Sequence, residues 1–343
     1  MKTYIITGGT GFVGNNLVKK LLLDGNNVVV LARNKAKFDK TIGRFDTELT
    51  KNLAVHYGSI TCTIDLKMLF SLAADNFSAQ SCDIIFIHTA SVVYLGSNKQ
   101  TLANMHHSNT VATKYITDLC VQNKCRLVYV SSVHAIPEGK KGFIIKEITQ
   151  FNPKMVRGGY AKSKAIASQT VLDAVKDKGL DAVLVHPSGI AGPNDGSTTH
   201  MTQMVQDYKN GRIPMGVKGG YDFVDVRDVA DGIAAAAVTG KTGNAYILAN
   251  KFYTVSEILD CLHGLGQGKR IRRTVPMWVA KLGLPFLSLQ AKIANKRPLY
   301  SRYSLYALGA NSIFCIEKAK SELGYSPRCI KDTLKDMVES DKV

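Results

Sequence analysis

Six short apolar runs recur through the first half of the chain: YIIT (4–7), NVVVLA (27–32), LAVHYG (53–58), DIIFIHTA (83–90), RLVYVSS (126–132) and LDAVLVHP (180–187). Several are nearly continuous in apolar residues, as expected of parallel strands covered on both faces. Between them the apolar spacing changes to a helical period over 12–24, 65–75, 104–122 and 160–177. Strand and helix in regular alternation predict an α/β fold, a doubly wound parallel sheet. Its crossovers should be right-handed, and a ligand should lie outside the C-terminal ends of the strands.

The rhythm changes after Pro187, where 188–220 and 250–330 carry more turns and shorter elements. Between them, FVDVRDVADGIAAAAV (223–238) reads as a strand or turn leading into a helix, and AYILA (245–249) as a strand. The pattern predicts a core of residues 1–187 completed by 221–250. A smaller, discontinuous C-terminal lobe is expected from 188–220 and 251–343.

The first strand runs into TGGTGFVG, with Gly8, Gly11 and Gly14 three residues apart at the turn that opens a helix. In that context Gly8 makes the tight turn, Gly11 lets the backbone approach a pyrophosphate, and Gly14 brings helix and strand close. Free N–H groups and the helix dipole then face the phosphates, a Rossmann-type dinucleotide site. An acid at the end of the second strand would bind the ribose diol of NAD, but VVVLARNKAK places Arg33 there, with Lys35 and Lys37 beyond. A guanidinium pairs with a 2′-phosphate, so NADP is expected, with NAD as the alternative.

A second constellation is GGYAKSKAIASQTV (158–171), where Tyr160 and Lys164 share a helix face. It follows Ser131 and Ser132 at the end of the fifth strand, over the expected cofactor. Such a tyrosine can exchange a hydroxyl proton while hydride passes to or from nicotinamide. A serine would hold the carbonyl oxygen, and the lysine would bind the nicotinamide ribose and favour the phenolate.

Together TGGTGFVG, YVSS, YAKSK, HPSGIAGPND and YDFVDVRDVADG resemble the extended short-chain dehydrogenase/reductase family, with its NAD-linked epimerases and dehydratases, dihydroflavonol reductase-like enzymes and 3β-hydroxysteroid dehydrogenases. The resemblance runs through 1–250 and returns in KAKSELGYSPR (318–328). It implies Ser132 as catalytic serine, with Ser131 as its alternative, beside Tyr160 and Lys164. Asn109 resembles an asparagine that supports the lysine. Thr10, Phe12, Val13, Thr89, Ala90 and Ser91 would line the cofactor, and Pro187 and Ser188 would border nicotinamide. His186 replaces a frequent arginine, and Ser59 stands where many relatives have an aspartate. The resemblance also implies a homodimer through 104–122 and 160–177.

Composition narrows the chemistry. There are 44 Lys+Arg against 27 Asp+Glu, a net charge of +17 that favours anionic ligands. No aromatic-and-basic interleaving or zinc spacing points to nucleic acid, and the histidines show no metal spacing. Seven cysteines without a CxxC pair suit a reducing, cytoplasmic setting. No apolar run reaches the length of a membrane span. The nearest, VPMWVAKLGLPFLSL (275–289), is interrupted by Lys281 and Pro285. It is expected to wall an apolar pocket with Trp278, Leu282, Leu284, Phe286 and Leu287, or to touch lipid. His134 faces substrate or sits in an ordinary loop.

The function expected is therefore an NADP-dependent reductase or dehydrogenase acting on a small apolar or aromatic carbonyl compound or alcohol. A nucleotide-sugar epimerase or dehydratase is the alternative, since Lys269, Arg270, Arg272 and Arg273 could grip a diphosphate. A catalytically quiet NADP-binding regulator would not need Tyr160 and Lys164.

Overall fold

A computed structural model describes residues 1–340 apart from 95, 97, 197–198 and 294–301; side chains at 286–293 and 302–303 also lie outside the description. The chain begins with β1 (Thr3–Thr7), α1 (Phe12–Leu23), β2 (Asn27–Ala32), α2 (Lys35–Lys40) and β3 (Leu53–Tyr57). It continues through α3 (Thr63–Phe77), β4 (Ile84–His88), α4 (Lys99–Asn123), β5 (Arg126–Val130), α5 (Gly159–Lys178) and β6 (Ala182–Pro187).

The second part holds β7 (Gly189–Ala191), α6 (His200–Lys209), β8 (Gly216–Val217), β9 (Gly220–Asp225), α7 (Val226–Thr239) and β10 (Ala245–Leu248). Then come β11 (Lys251–Thr254), α8 (Val255–Gly264), β12 (Thr274–Val275), α9 (Met277–Ile293), α10 (Arg302–Gly309), α11 (Glu317–Leu323) and α12 (Ile330–Ser340).

Seven parallel strands form the large sheet in the order β10-β6-β5-β4-β1-β2-β3. Every residue of β1, β2, β4 and β6 is buried, which explains why these strands read as continuous apolar runs. Helices α4 and α5 pack together on the sheet, and α1 packs against α7. Strand order reverses between β1 and β4, so their C-terminal ends open a crevice at the topological switch point.

The 221–250 stretch divides. Strand β10 joins the large sheet, whereas β9 pairs with β7 and β11 in a separate three-stranded sheet. The YDFVDVRDVADG motif is spent on that junction. Asp225 caps α7 by accepting from Arg227 N and pairs with the Arg227 guanidinium; Asp228 pairs with Arg328 from the C-terminal region.

A second core joins α6, α8 and α12 through Val205, Leu259, Leu262 and Leu334. Helix α8 starts with a full capping box between Thr254 and Glu257. The loop between β5 and α5 is anchored to the C-terminal part of the chain: Asn311 Nδ2 donates to the carbonyls of Glu138, Lys140 and Phe143. Among the described residues, no helix is long and apolar enough to cross a membrane, and no group of three His, Cys, Asp or Glu could hold a metal ion.

Candidate active site

The glycine turn stands at the switch point. Gly8 has φ +78°, and a Cβ there would lie 2.6 Å from Ala90 N. A Cβ on Gly14 would lie 2.2 Å from Gly8 O, so the start of α1 touches the turn itself. Gly9, which the sequence does not single out, is packed under Val30, 2.7 Å from where its Cβ would be. Gly11 differs: its Cβ would meet only Gly8 O, at 3.1 Å, and it is the N-cap of α1 with no side chain capping the first turn. The N–H groups of a helix start are thus left to a ligand. Thr10, Phe12 and Val13 are half-buried around this opening.

Arg33 is exposed at the end of β2, where no acid stands beside it in sequence. Across the crevice, Thr89 donates to Thr7 O at 2.8 Å, so its hydroxyl ties β4 to β1. Ala90 offers backbone against Gly8, and Ser91 continues toward α5. These residues form a cradle that fits a dinucleotide: a glycine turn, an uncapped helix start and a cation at the second strand.

Tyr160, in the first turn of α5, faces the hydroxyls of Ser132 and Ser91. Burial pushes its phenol up to about 12, against the pull of those two hydroxyls. The two serines at the end of β5 are sorted by their bonds. Ser131 Oγ is 2.7 Å from Ser168 Oγ inside the protein, whereas Ser132 Oγ accepts from His134 N and lies against Tyr160.

Two expectations about their neighbours need correction. Lys164 Nζ donates to Val130 O at 2.8 Å and Tyr129 OH at 3.3 Å, not to Tyr160. It lies 4.9 Å from the centre of the Tyr129 ring, and burial lowers its pKa to about 7. The phenol at 160 is therefore raised by its surroundings rather than lowered by an adjacent ammonium. Asn109 likewise does not reach the lysine. Its amide donates to Val92 O and Ser163 Oγ and accepts from Val92 N and Ser91 Oγ, fastening the 91–92 segment to α5.

Pro187 closes β6 opposite Leu248. The Ser188 hydroxyl is engaged by Asp222, which also accepts from Asn250 N at 3.0 Å. Burial raises Asp222 to about 6. Its backbone N–H donates to Leu248 O at 3.1 Å, so Ser188 is tied into the sheet edge through both groups.

Three histidines surround the site, all held neutral by burial. His88 bridges Thr7 and Thr113, with a pKa lowered to about 3. His186, lowered to about 4, stacks on Phe151 and lies 3.0 Å from Ser132 O, so it fixes the backbone of the serine. A histidine inside an apolar strand was the available signal for that contact. His134, also lowered to about 4, lies edge-on to Tyr160 with ring centres 6.2 Å apart; its Nε2 is 3.1 Å from Tyr221 OH. Tyr221 is 87 residues away and carries no local signal.

His134 and Tyr221 border a cavity of about 930 Å³ between the 133–157 loop region, β9, α9 and α10. Val133, Ile136, Met277, Leu305 and Phe314 give it an apolar lining. The 275–289 segment contributes differently from expectation. Its helix runs through Pro285; Trp278 and Leu282 are 65% and 67% exposed, while Leu284 packs on Val217 and Leu305. The residues at i and i+4 therefore form an outer helix face, and Met277 and Lys281 reach the cavity instead. The Phe286 and Leu287 side chains lie outside the description. Lys269, Arg270, Arg272 and Arg273 do not line this cavity.

Comparison with known proteins gives a concordant result. The model of the NAD dependent epimerase/dehydratase family matches residues 4–249. A provisionally named dihydroflavonol 4-reductase of Synechocystis is 30% identical, covering 98% of this chain and 93% of that protein. The terminal R domain of the myxalamid PKS-NRPS pathway superposes with a TM-score of 0.79 at 22% identity, covering 99% of this chain and 90% of the domain. UDP-glucose 4-epimerase from Thermotoga maritima does so with a TM-score of 0.73 at 18% identity, covering 99% and 98%. These two structures speak for the fold.

Proposed function

This chain belongs to the NAD dependent epimerase/dehydratase family, as an NAD(P)-dependent enzyme of the extended short-chain type; within it, we propose an NADP-dependent reductase of apolar ketones or aldehydes. The observation that carries the proposal is Tyr160 set against Ser132 at the C-terminal end of β5, beside the glycine turn. Gly8, Gly11 and Gly14, with the first turn of α1, hold the pyrophosphate, and Arg33 pairs with the 2′-phosphate. Thr89, Ala90, Ser91, Pro187 and Ser188 border the remainder of the cofactor.

When bound, the nicotinamide supplies or accepts the hydride. Ser132 Oγ donates a hydrogen bond to the substrate oxygen and strengthens it as negative charge develops. Tyr160 then gives its proton to that oxygen. A phenol pushed up to about 12 is protonated at neutral pH, which suits proton donation and hence reduction. Lys164, at the threshold of protonation near pH 7, binds ribose in either charge state. Asn109 holds the 91–92 segment, and His186 holds Ser132.

The partly apolar cavity lined by His134, whose ring lies edge-on to Tyr160, fits a hydrocarbon or aromatic body. Epimerisation would use the same Ser-Tyr-Lys set without net redox change; Arg33 and the lining favour the reductase. We assign the substrate lobe to 188–220 and 251–343, on a core of 1–187 and 221–250 whose β9 lies in the three-stranded sheet, and the outer faces of α4 and α5 to a homodimer.

The proposal is tested by following NADPH and NADH oxidation with a panel of aryl, alkyl and steroid-like ketones. Preference for NADPH, reversed at least tenfold by Arg33→Glu, is expected. Equal use of both cofactors by the parent and variant enzymes would remove the role of Arg33.

A further inference from the structure

The cavity lining is apolar in part and cationic in part. Lys141, Arg157, Lys218 and Lys281 all border it, and Glu138 is its sole acidic lining residue among those described. That carboxylate is already engaged, accepting from Tyr306 OH at 2.6 Å. Arg157 lies over the same tyrosine ring, 5.7 Å from its centre. None of the four cations forms an ion pair with a described carboxylate.

Arg157 also hydrogen-bonds Tyr306, and all four cations are exposed; with no described carboxylate partner, cations lining one cleft focus a positive potential at it. Arg157 is also placed to matter chemically, only three residues before Tyr160, so their Cα atoms are at most about 11 Å apart. A charge gripped there would belong to the same small molecule whose carbonyl meets Tyr160.

Resting on the reductase reading, we propose that the substrate is an amphiphile: an apolar body bearing the reactive carbonyl, and a carboxylate or similar anionic group seated on the Arg157, Lys218 and Lys281 edge. Charge-assisted hydrogen bonds from a guanidinium and ammonium groups hold the acid. The hydrocarbon part fills the lining formed by Met277, Leu305 and Phe314.

The test compares 5-oxo-5-phenylpentanoate with its methyl ester, two ketones differing in one charge. Steady-state NADPH oxidation is measured at low and high salt, on the parent protein and on Arg157→Gln/Lys218→Gln. In parallel, binding is followed by fluorescence of the chain's single tryptophan, Trp278, next to the cavity residue Met277. The KM of the acid should be at least tenfold below that of the ester, with the gap closing in salt and in the double variant. The KM of the ester should shift far less than that of the acid in the double variant. Equal KM values, or a gap that survives the double substitution, overturn the inference.

Binding separates this inference from the reductase reading. Absence of turnover with a charge-selective fluorescence change, abolished in the variant, refutes the reductase and keeps the anionic subsite. No charge selectivity in either assay overturns the subsite. UDP binding more tightly than the keto acid also overturns it, in favour of a nucleotide-bearing substrate.

Discussion

Lys164 is 2% exposed and sits deep enough that its pKa falls from 10.5 to about 7, through burial. In the unfolded chain the same ammonium is fully hydrated. Between about pH 7 and 10.5 the unfolded state therefore carries a proton that the folded state has released. Stability rises with pH wherever the unfolded state binds more protons, so this group makes the protein more stable from neutral to alkaline pH. The gap between the two pKa values corresponds to about 5 kcal/mol in full. The part gained between pH 7.0 and 8.5 is about 2 kcal/mol, from the same linkage relation.

For a chain of 343 residues that is a melting shift of about 3 °C. Buried cysteine and tyrosine hydroxyl groups, whose pKa values are raised, oppose the gain above about pH 9. The comparison therefore stops at 8.5. Lys164→Met keeps the length of the side chain and removes the charge. Melting curves of both proteins without added cofactor, at pH 7.0, 7.5, 8.0 and 8.5, isolate the lysine because the other groups cancel in the difference. Tm of the parent should climb toward that of Lys164→Met by about 3 °C. Parallel curves would refute the reasoning, since they would mean that Lys164 keeps its proton through its bonds to Val130 O and Tyr129.

Two further substitutions follow from the geometry. Gly14→Ala puts a methyl 2.2 Å from Gly8 O and 2.8 Å from Gly9 Cα, both backbone, so it should cost about 1–3 kcal/mol of stability and weaken cofactor binding at least tenfold; calorimetry and fluorescence titration with NADPH check both. Ser132→Ala should lower kcat by about 10²-fold. Ser131→Ala, which loses the bond to Ser168, should cost about 1 kcal/mol in a thermal melt and leave kcat within a fewfold.

The sheet was legible because burial on both faces leaves a one-dimensional trace: β1, β2, β4 and β6 are continuous apolar runs. Gly8 and Gly14 were legible for a related reason, since their steric demands are local. Helix α2 has no buried residue and left no apolar period to read. Trp278 and Leu282 show the limit of composition: hydrophobicity does not say which side of a helix meets the cavity, and their i, i+4 spacing put both outside. The contacts of Lys164 and Asn109 were not legible because they run to partners chosen by the packing of α5, and that of His134 because it runs to Tyr221 on β9. The same holds for the four cations of the cavity edge, which come together only through the fold.

The central claim is net reduction with Tyr160 as proton donor. The most direct measurement uses NADPH carrying deuterium at nicotinamide C4, with an active ketone, on the parent protein and on Tyr160→Phe. Deuterium on the carbinol carbon in proportion to NADPH consumed, and loss of that transfer in Tyr160→Phe with NADPH binding retained, is the predicted result. Unchanged transfer in Tyr160→Phe would contradict the role of the tyrosine. Cofactor recovered unconsumed beside an isomerised nucleotide sugar would contradict the reductase itself.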